Sequence, residues 1–173
     1  MERRLAAVLV ADMVGYSRLM ETDEDGILAR QKTHRREVID PEMSRHRGRI
    51  IKTTGDGMLA EFSSAQDAVR CAIDIQTEMT QRETDADEQR RIKYRVGIYL
   101  GDIVFDDNDI FGDGVNVAAR LEGLAEPGGV CISYIVHQAV NEQGQKFFGT
   151  WVDKESRTSR GPFGSGSGRQ MRQ

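Results

Sequence analysis

The chain is poor in the features that mark secreted, membrane-borne or nucleic-acid-coating proteins. It has only two cysteines, Cys71 and Cys131, far apart and with no His or Cys at metal-ligand spacing. That excludes a disulfide framework and a zinc knuckle, and both residues read as reduced core positions of a cytoplasmic protein. No apolar run approaches the length of a signal sequence or a membrane span, and Met1-Glu2-Arg3-Arg4 leads straight into a short apolar segment. An excess of positive charge is missing too. The net charge of -4 argues against a general nucleic-acid coat, and an anionic nucleotide bound to such a protein would need cations of its own.

What is present suits one soluble domain: 173 residues, 38% hydrophobic and 30% charged. The run from Leu5 to Ala11 predicts a first strand buried on both faces. From Thr22 to Arg47 the spacing of Ile27, Leu28, Val38, Ile39 and Met43 predicts an amphipathic helix capped by Thr22 or Asp23, bent or restarted at Pro41. Gly48 ends it. Residues 49–53 and 58–62 then read as a hairpin around Gly55-Asp56-Gly57. Ser63-Ser64 caps a second helix through Ile75, and residues 84–91 form a charged loop. A long strand is expected over residues 94–105, kinked at Gly97 or Gly101. After the Asp106-Asp107-Asn108 turn come a third helix over residues 112–122, a strand over 130–133 and a short helix from Tyr134. This order predicts an α+β fold with a ferredoxin-like βαββαβ core, appended αβ elements and helices on one face of the sheet.

Two apolar strands end in an aspartate beside a glycine turn, at Asp12 and at Asp56. Such strand-end carboxylates can hold a pair of divalent cations, although an isolated Gly-Asp-Gly is more often a plain hairpin turn. Three segments taken in order carry more weight: Val10-Ala11-Asp12-Met13-Val14-Gly15-Tyr16-Ser17, Lys52-Thr53-Thr54-Gly55-Asp56-Gly57, and residues 109–121 from Asp109-Ile110-Phe111-Gly112 to Ala119-Arg120-Leu121. Together they resemble the class III nucleotide cyclases over residues 5 to 137. The resemblance implies the cyclase fold and an adenylate cyclase that converts ATP to 3′,5′-cyclic AMP and pyrophosphate.

It also implies roles. Asp12 and Asp56, with the Met13 carbonyl, would bind two Mg²⁺ or Mn²⁺ ions, and amides across Val14, Gly15, Tyr16 and Ser17 would cradle the triphosphate. Lys52 and Asp109 would read adenine, one donating to the ring and one accepting from the exocyclic amine. Read without the resemblance, Lys52 is a solvated strand residue and Asp109 a turn former. Asn116 and Arg120 share a helical face and would orient the ribose and stabilise charge at the α-phosphate; the plain alternative for Arg120 is a surface ion pair with Glu122 or Glu126. Sites of this family form between subunits, so a homodimer is expected. Related bacterial chains often append a C-terminal regulatory domain.

The chain departs from the resemblance in two places. The segment from Gly101 to Asp109 holds no arginine, so charge stabilisation is expected to fall on the metals and Arg120. Residues 1–148 read as the catalytic domain and residues 149–173 as an atypical Gly/Ser/Arg-rich tail with no strand period. Read from the third base of a TTC codon for Phe148, codons compatible with Gly149 to Gly166 spell RDLGGQRVKNIARPVRVW, which looks like the family's ending with its lysine. A frameshifted tail is therefore expected, along with a sheet lacking its edge. Two rivals follow: a catalytically impaired cyclase-homology module that binds nucleotide or a partner without turnover, and a diguanylate-cyclase or polymerase-palm relative. The second lacks its Gly-Gly-Asp-Glu-Phe segment.

Overall fold

A computed structural model of the chain describes residues 1–142, 150–152 and 159–160. The elements run β1 (Glu2–Met13), α1 (Tyr16–His34), a π-helical turn (Arg35–Ile39), α2 (Asp40–Arg45), β2 (Arg49–Thr53), β3 (Gly57–Phe62), α3 (Ala65–Arg82), β4 (Tyr94–Asp106), β5 (Asp109–Phe111), α4 (Asp113–Leu124), β6 (Val130–Ser133), α5 (Tyr134–Glu142), β7 (Thr150–Val152) and β8 (Ser159–Arg160). The sheet order is β2-β3-β1-β4-β6-β7-β8, with β5 pairing β4 as a hairpin. Strands β2, β3, β1 and β4 are antiparallel neighbours, the arrangement of the expected split βαβ core.

The central strand β1 is buried on both faces from Ala6 to Leu9, which shortens the expected buried run of Leu5 to Ala11: Leu5 is exposed toward the strand's start and Val10 is half-buried. Its odd positions Ala7, Leu9, Ala11 and Met13 join Val96 and Ile98 of β4 in a core roofed by α1, α2, α3 and α5. Its even positions Ala6 and Val8 meet Ile103, Phe105 and Ala118 on the opposite face. Full burial of a side chain such as Ile98 contributes roughly 1.5–3 kcal/mol.

Helices thus cover both faces, which corrects the expectation of one. Helix α4 lies opposite the others because Gly97 lets it approach: a Cβ at that position would sit 2.3 Å from the Ala118 carbonyl oxygen and the Glu122 nitrogen. Close approach to a helix is therefore what this strand glycine serves.

The first helix starts earlier than expected. Gly15 precedes it in the left-handed region (φ 65°, ψ 34°), and Thr22 sits inside it, its hydroxyl donating to the Arg18 carbonyl. Asp23 leaves helical geometry (φ -160°, ψ 76°) while its carboxylate accepts the Gly26 N–H at 3.1 Å, so it caps the second part of the helix. The chain restarts at α2 with Pro41 in the first turn. Ser64 caps α3 as expected, accepting from the Asp67 N–H at 3.3 Å and contributing about 1 kcal/mol.

Two polar side chains hold the layers in place. Gln76 of α3 donates to the Tyr94 and Gly129 carbonyls at 2.9 and 3.0 Å. Glu83, at the end of α3, meets Arg30, His34 and the Ile92 N–H. Burial pushes its carboxyl up, but those donors outweigh burial and hold it below the usual range.

The reading that strand character ends after Phe148 is corrected by β7, which pairs in parallel with β6, and by β8 beyond it. Backbone pairing at a sheet margin needs no side-chain period, and Trp151 and Val152 are strand-prone residue types. The remainder of the tail lies outside the described residues.

Candidate active site

Both strand-end aspartates come together where β1 meets the β2–β3 turn. Asp12 lies in register with Gly57 of β3 and with Arg95 of β4. The turn is closed by the Thr54 N–H on the Gly57 carbonyl (2.9 Å) and the Gly57 N–H on the Thr54 hydroxyl (3.0 Å). A Cβ at Gly57 would meet that hydroxyl at 2.9 Å and the Ala11 carbonyl at 3.2 Å, so a side chain there would crowd the turn where it seats against β1. The Asp56 carbonyl accepts the Met13 N–H at 2.8 Å, which ties the turn to the end of β1.

Burial, the charge of Asp56 and a hydrogen bond with it push the Asp12 carboxyl up to about 6; the Met13 N–H and Arg95 pull the other way. With the Asp56 charge beside a partly buried Asp12 carboxyl the centre is short of positive charge, and its oxygen donors suit a hard divalent cation. The donor set therefore fits the Mg²⁺ or Mn²⁺ expected from the sequence.

Two residues to which the sequence reading gave no place in this centre lie beside it. Arg95 opposes Asp12 across the β1–β4 ladder, and its Nε is buried with no hydrogen-bond partner among the described residues. It adds a cation where the segment from Gly101 to Asp109 offers none. Glu122 of α4 approaches from the other side: burial and the charges of Asp12 and Asp56 push its carboxyl up, while Arg95 opposes them. An arginine within an apolar strand was the signal available in the sequence.

After β1 the chain turns through Val14 and Gly15 into α1. The Val14 N–H donates to the Lys93 carbonyl at 2.8 Å and is thus committed to the fold. Tyr16 and Ser17 open the helix, where first-turn N–H groups have no intrahelical acceptor and attract anions.

Lys52 of β2 and Asp109 of β5 meet as an ion pair, the ammonium lying 3.0 and 3.1 Å from the two carboxylate oxygens. The Ile110 N–H and then Lys52 hold the Asp109 carboxyl below its ordinary value. Lys52 is 52% and Asp109 38% exposed, so the pair is open to an incoming ligand. Asn116 and Arg120 lie on the exposed side of α4 and form no hydrogen bond or ion pair among the described residues. The plain alternative for Arg120, an ion pair with Glu122 or Glu126, is not found among the described residues. At 100° per residue Glu122 points away from Arg120 by about 200°. The helix presents its glutamate to its own aspartates and its arginine outward.

The one described cluster of three metal-ligating side chains is elsewhere, where Glu42 of α2 and His46 just after it meet Asp74 of α3. His46 Nε2 lies 2.8 Å from Asp74 and 3.4 Å from Glu42, so a hydrogen bond links the end of α2 to α3.

The sequence pattern of the adenylate and guanylate cyclase catalytic domain matches residues 3–158. A Rhizobium meliloti protein named "Putative adenylate cyclase 3" is 53% identical over 139 residues, 80% of this chain and 24% of that protein. An adenylate cyclase of Streptomyces coelicolor is 34% identical over 135 residues, 76% of this chain and 32% of that protein. The chain thus spans about a quarter to a third of the length of these relatives. The crystal structure of an adenylate/guanylate cyclase/hydrolase from Silicibacter pomeroyi superposes with a TM-score of 0.76 at 60% identity, covering 83% of each chain. Its carboxylate centre, its α+β fold with a ferredoxin-like core and these likenesses place the chain in the family of class III adenylate and guanylate cyclase catalytic domains.

Proposed function

We propose that the chain is an adenylate cyclase domain, forming 3′,5′-cyclic AMP and pyrophosphate from ATP at a site shared by two copies. The observation that carries this reading is the Asp12–Asp56 centre, where one carboxyl is pushed up to about 6 and two strands and a glycine turn hold it in place. Two Mg²⁺ or Mn²⁺ ions on Asp12, Asp56 and the Met13 carbonyl would lower the pKa of the ribose 3′-hydroxyl and neutralise charge on the departing pyrophosphate.

The chain's own residues bind and orient. The α1 N-terminus at Gly15, Tyr16 and Ser17 receives phosphate oxygens, with Arg95 as a cation from the same subunit. Lys52 donates to adenine N1 and Asp109 accepts from its amino group, the hydrogen-bond polarity that guanine reverses. Asn116 orients the ribose, and Arg120 stabilises the charge that grows at the α-phosphorus as the 3′-oxygen bonds to it and the bridging oxygen leaves. The outward aim of Arg120, away from the aspartates that Glu122 faces, supports the homodimer: the arginine of one copy serves the aspartates of the other.

We further propose that residues from about Gly149 onward come from a shifted reading frame. Resequencing independent clones tests this, and codons incompatible with the alternative frame would end it. The functional test is product analysis of the purified chain and of its reframed version with Mn²⁺ and ATP or GTP. Cyclic AMP from either supports the cyclase reading, and cyclic AMP from the reframed version alone places the defect in the tail. Neither nucleotide turned over by either version would favour a module that binds without turnover.

A further inference from the structure

On the face of the sheet away from α4, behind the metal turn, lies a cavity of about 410 Å³. Its inner wall is apolar, formed by Leu9 and Ala11 of β1, Ile75 of α3 and Val96 of β4. Protein cores seldom leave such space unfilled. Small side chains widen it at Ala11 and Ala72, and the π-helical turn Arg35–Ile39 borders it; π-turns are rare and recur at functional sites.

The mouth is cationic, with Lys32, Arg35 and Arg36. Arg35 is paired with Asp40, and Arg36 with Glu37 at 3.4 Å. Lys32 is exposed and has no ion-pair partner among the described residues. An apolar chamber under an uncompensated ammonium complements one kind of molecule, a single negative head on an apolar body.

The far wall is the segment from Thr53 to Met58, which carries Asp56. Two side chains of α1 reach it. Gln31 Nε2 donates to the Gly55 carbonyl at 2.6 Å, and the Tyr16 hydroxyl packs so close that a Cβ on Gly55 would lie 3.1 Å from it. A guest between α1 and the sheet bears on the turn that holds the carboxylate.

We propose that this cavity binds an amphipathic monocarboxylate, of which a medium-chain fatty acid is the simplest example, and that its occupation changes the metal affinity of the Asp12–Asp56 centre. The linkage half rests on the metal-binding reading above; the binding half does not.

Isothermal titration of the full chain with decanoate, below its micelle concentration, tests the binding. One molecule per chain is expected, with affinity at least tenfold weaker for Lys32→Glu and for Ala72→Phe, which fills the chamber. Lys32 is at the surface, so its variant keeps the test alive if Ala72→Phe does not fold. Absence of binding, equal affinity in both folded variants, or equal affinity for decanol would overturn the proposal. Titration of Mn²⁺ with and without decanoate tests the linkage: a threefold or larger change is expected, and by reciprocity Mn²⁺ changes the decanoate affinity by the same factor. Decanoate binding with an unchanged Mn²⁺ affinity overturns the linkage. Absence of Mn²⁺ binding in either state removes the metal reading and leaves the decanoate result standing.

Discussion

The two halves of the site solve opposite electrostatic problems. Asp12 and Asp56 are like charges brought together beside a buried strand, and burial, together with that repulsion, pushes the Asp12 carboxyl up to about 6. Lys52 and Asp109 are opposite charges at the surface that already satisfy one another, with the Asp109 carboxyl held below its usual value. The first half is incomplete until positive charge arrives. The second is complete, and on the proposed reading an incoming base would replace a bond that already exists. The difference suggests that the metal half governs whether any reaction occurs and the base half governs on which nucleotide.

The largest effect expected on that division is at the carboxylates. Asp56→Ala should lower kcat by about 10³-fold or more with the fold retained, checked by cyclic AMP assay beside circular dichroism. Wild-type turnover in this variant would remove the metal assignment.

Next comes Arg120→Ala, expected to cost about 10²–10³-fold in kcat. Mixing it with Asp56→Ala sharpens the division between subunits. Random reassortment in a shared-site dimer restores about a quarter of wild-type activity, because each mixed dimer holds one intact site. Failure of two stable, exchanging variants to complement would place both halves in one chain.

Lys52→Glu should have a smaller effect on turnover and a clear one on choice. It reverses the charge facing the base and should cut the ATP-over-GTP ratio of kcat/KM by about 10–100-fold. An unchanged ratio would mean that the pair is no more than a surface salt bridge.

The smallest effect is in pH dependence. The folded protein holds a proton on Asp12 up to about 6, above the ordinary value of 3.8, so the native state binds more protons in that interval. The stability contribution of this group is present at low pH and is lost as pH rises through about 6. Thermal melts without metal should therefore show Asp12→Asn gaining on the wild type between about pH 4 and 6. Because metal must displace that proton, Mn²⁺ affinity of the wild type should weaken below about pH 6, measured by titration across the interval.

Much of this was legible in the residues. The continuous apolar run of β1, the Gly55-Asp56-Gly57 turn and the Ser64 cap depend on local chemistry, and each appears where that chemistry put it. Elements that depend on distant partners were harder to read. Strand β5 is three residues long and is defined by pairing with β4. The start of α1 follows a left-handed glycine with no side-chain cap, whereas the visible capping residues lie inside the helix. Arg95 stands out in the sequence only as a charge within an apolar strand, and its place opposite Asp12 is set by the β1–β4 register. The second helical layer was foreshadowed by Gly97 alone, which reads equally well as a kink.

That glycine acts at a distance. A single methyl group at position 97 would meet the backbone of α4 at 2.3 Å, and ordinary contact would be regained by lifting the helix about 1 Å. The core could absorb that lift, but Arg120 rides on the far side of the same helix, and catalysis tolerates such displacements badly. If two copies share the site as proposed, the reach of one toward the other would be set by a missing atom in the middle of a strand. Where Gly97→Ala folds, checked by circular dichroism, it is expected to complement Asp56→Ala but to be a poor partner for Arg120→Ala in mixed dimers.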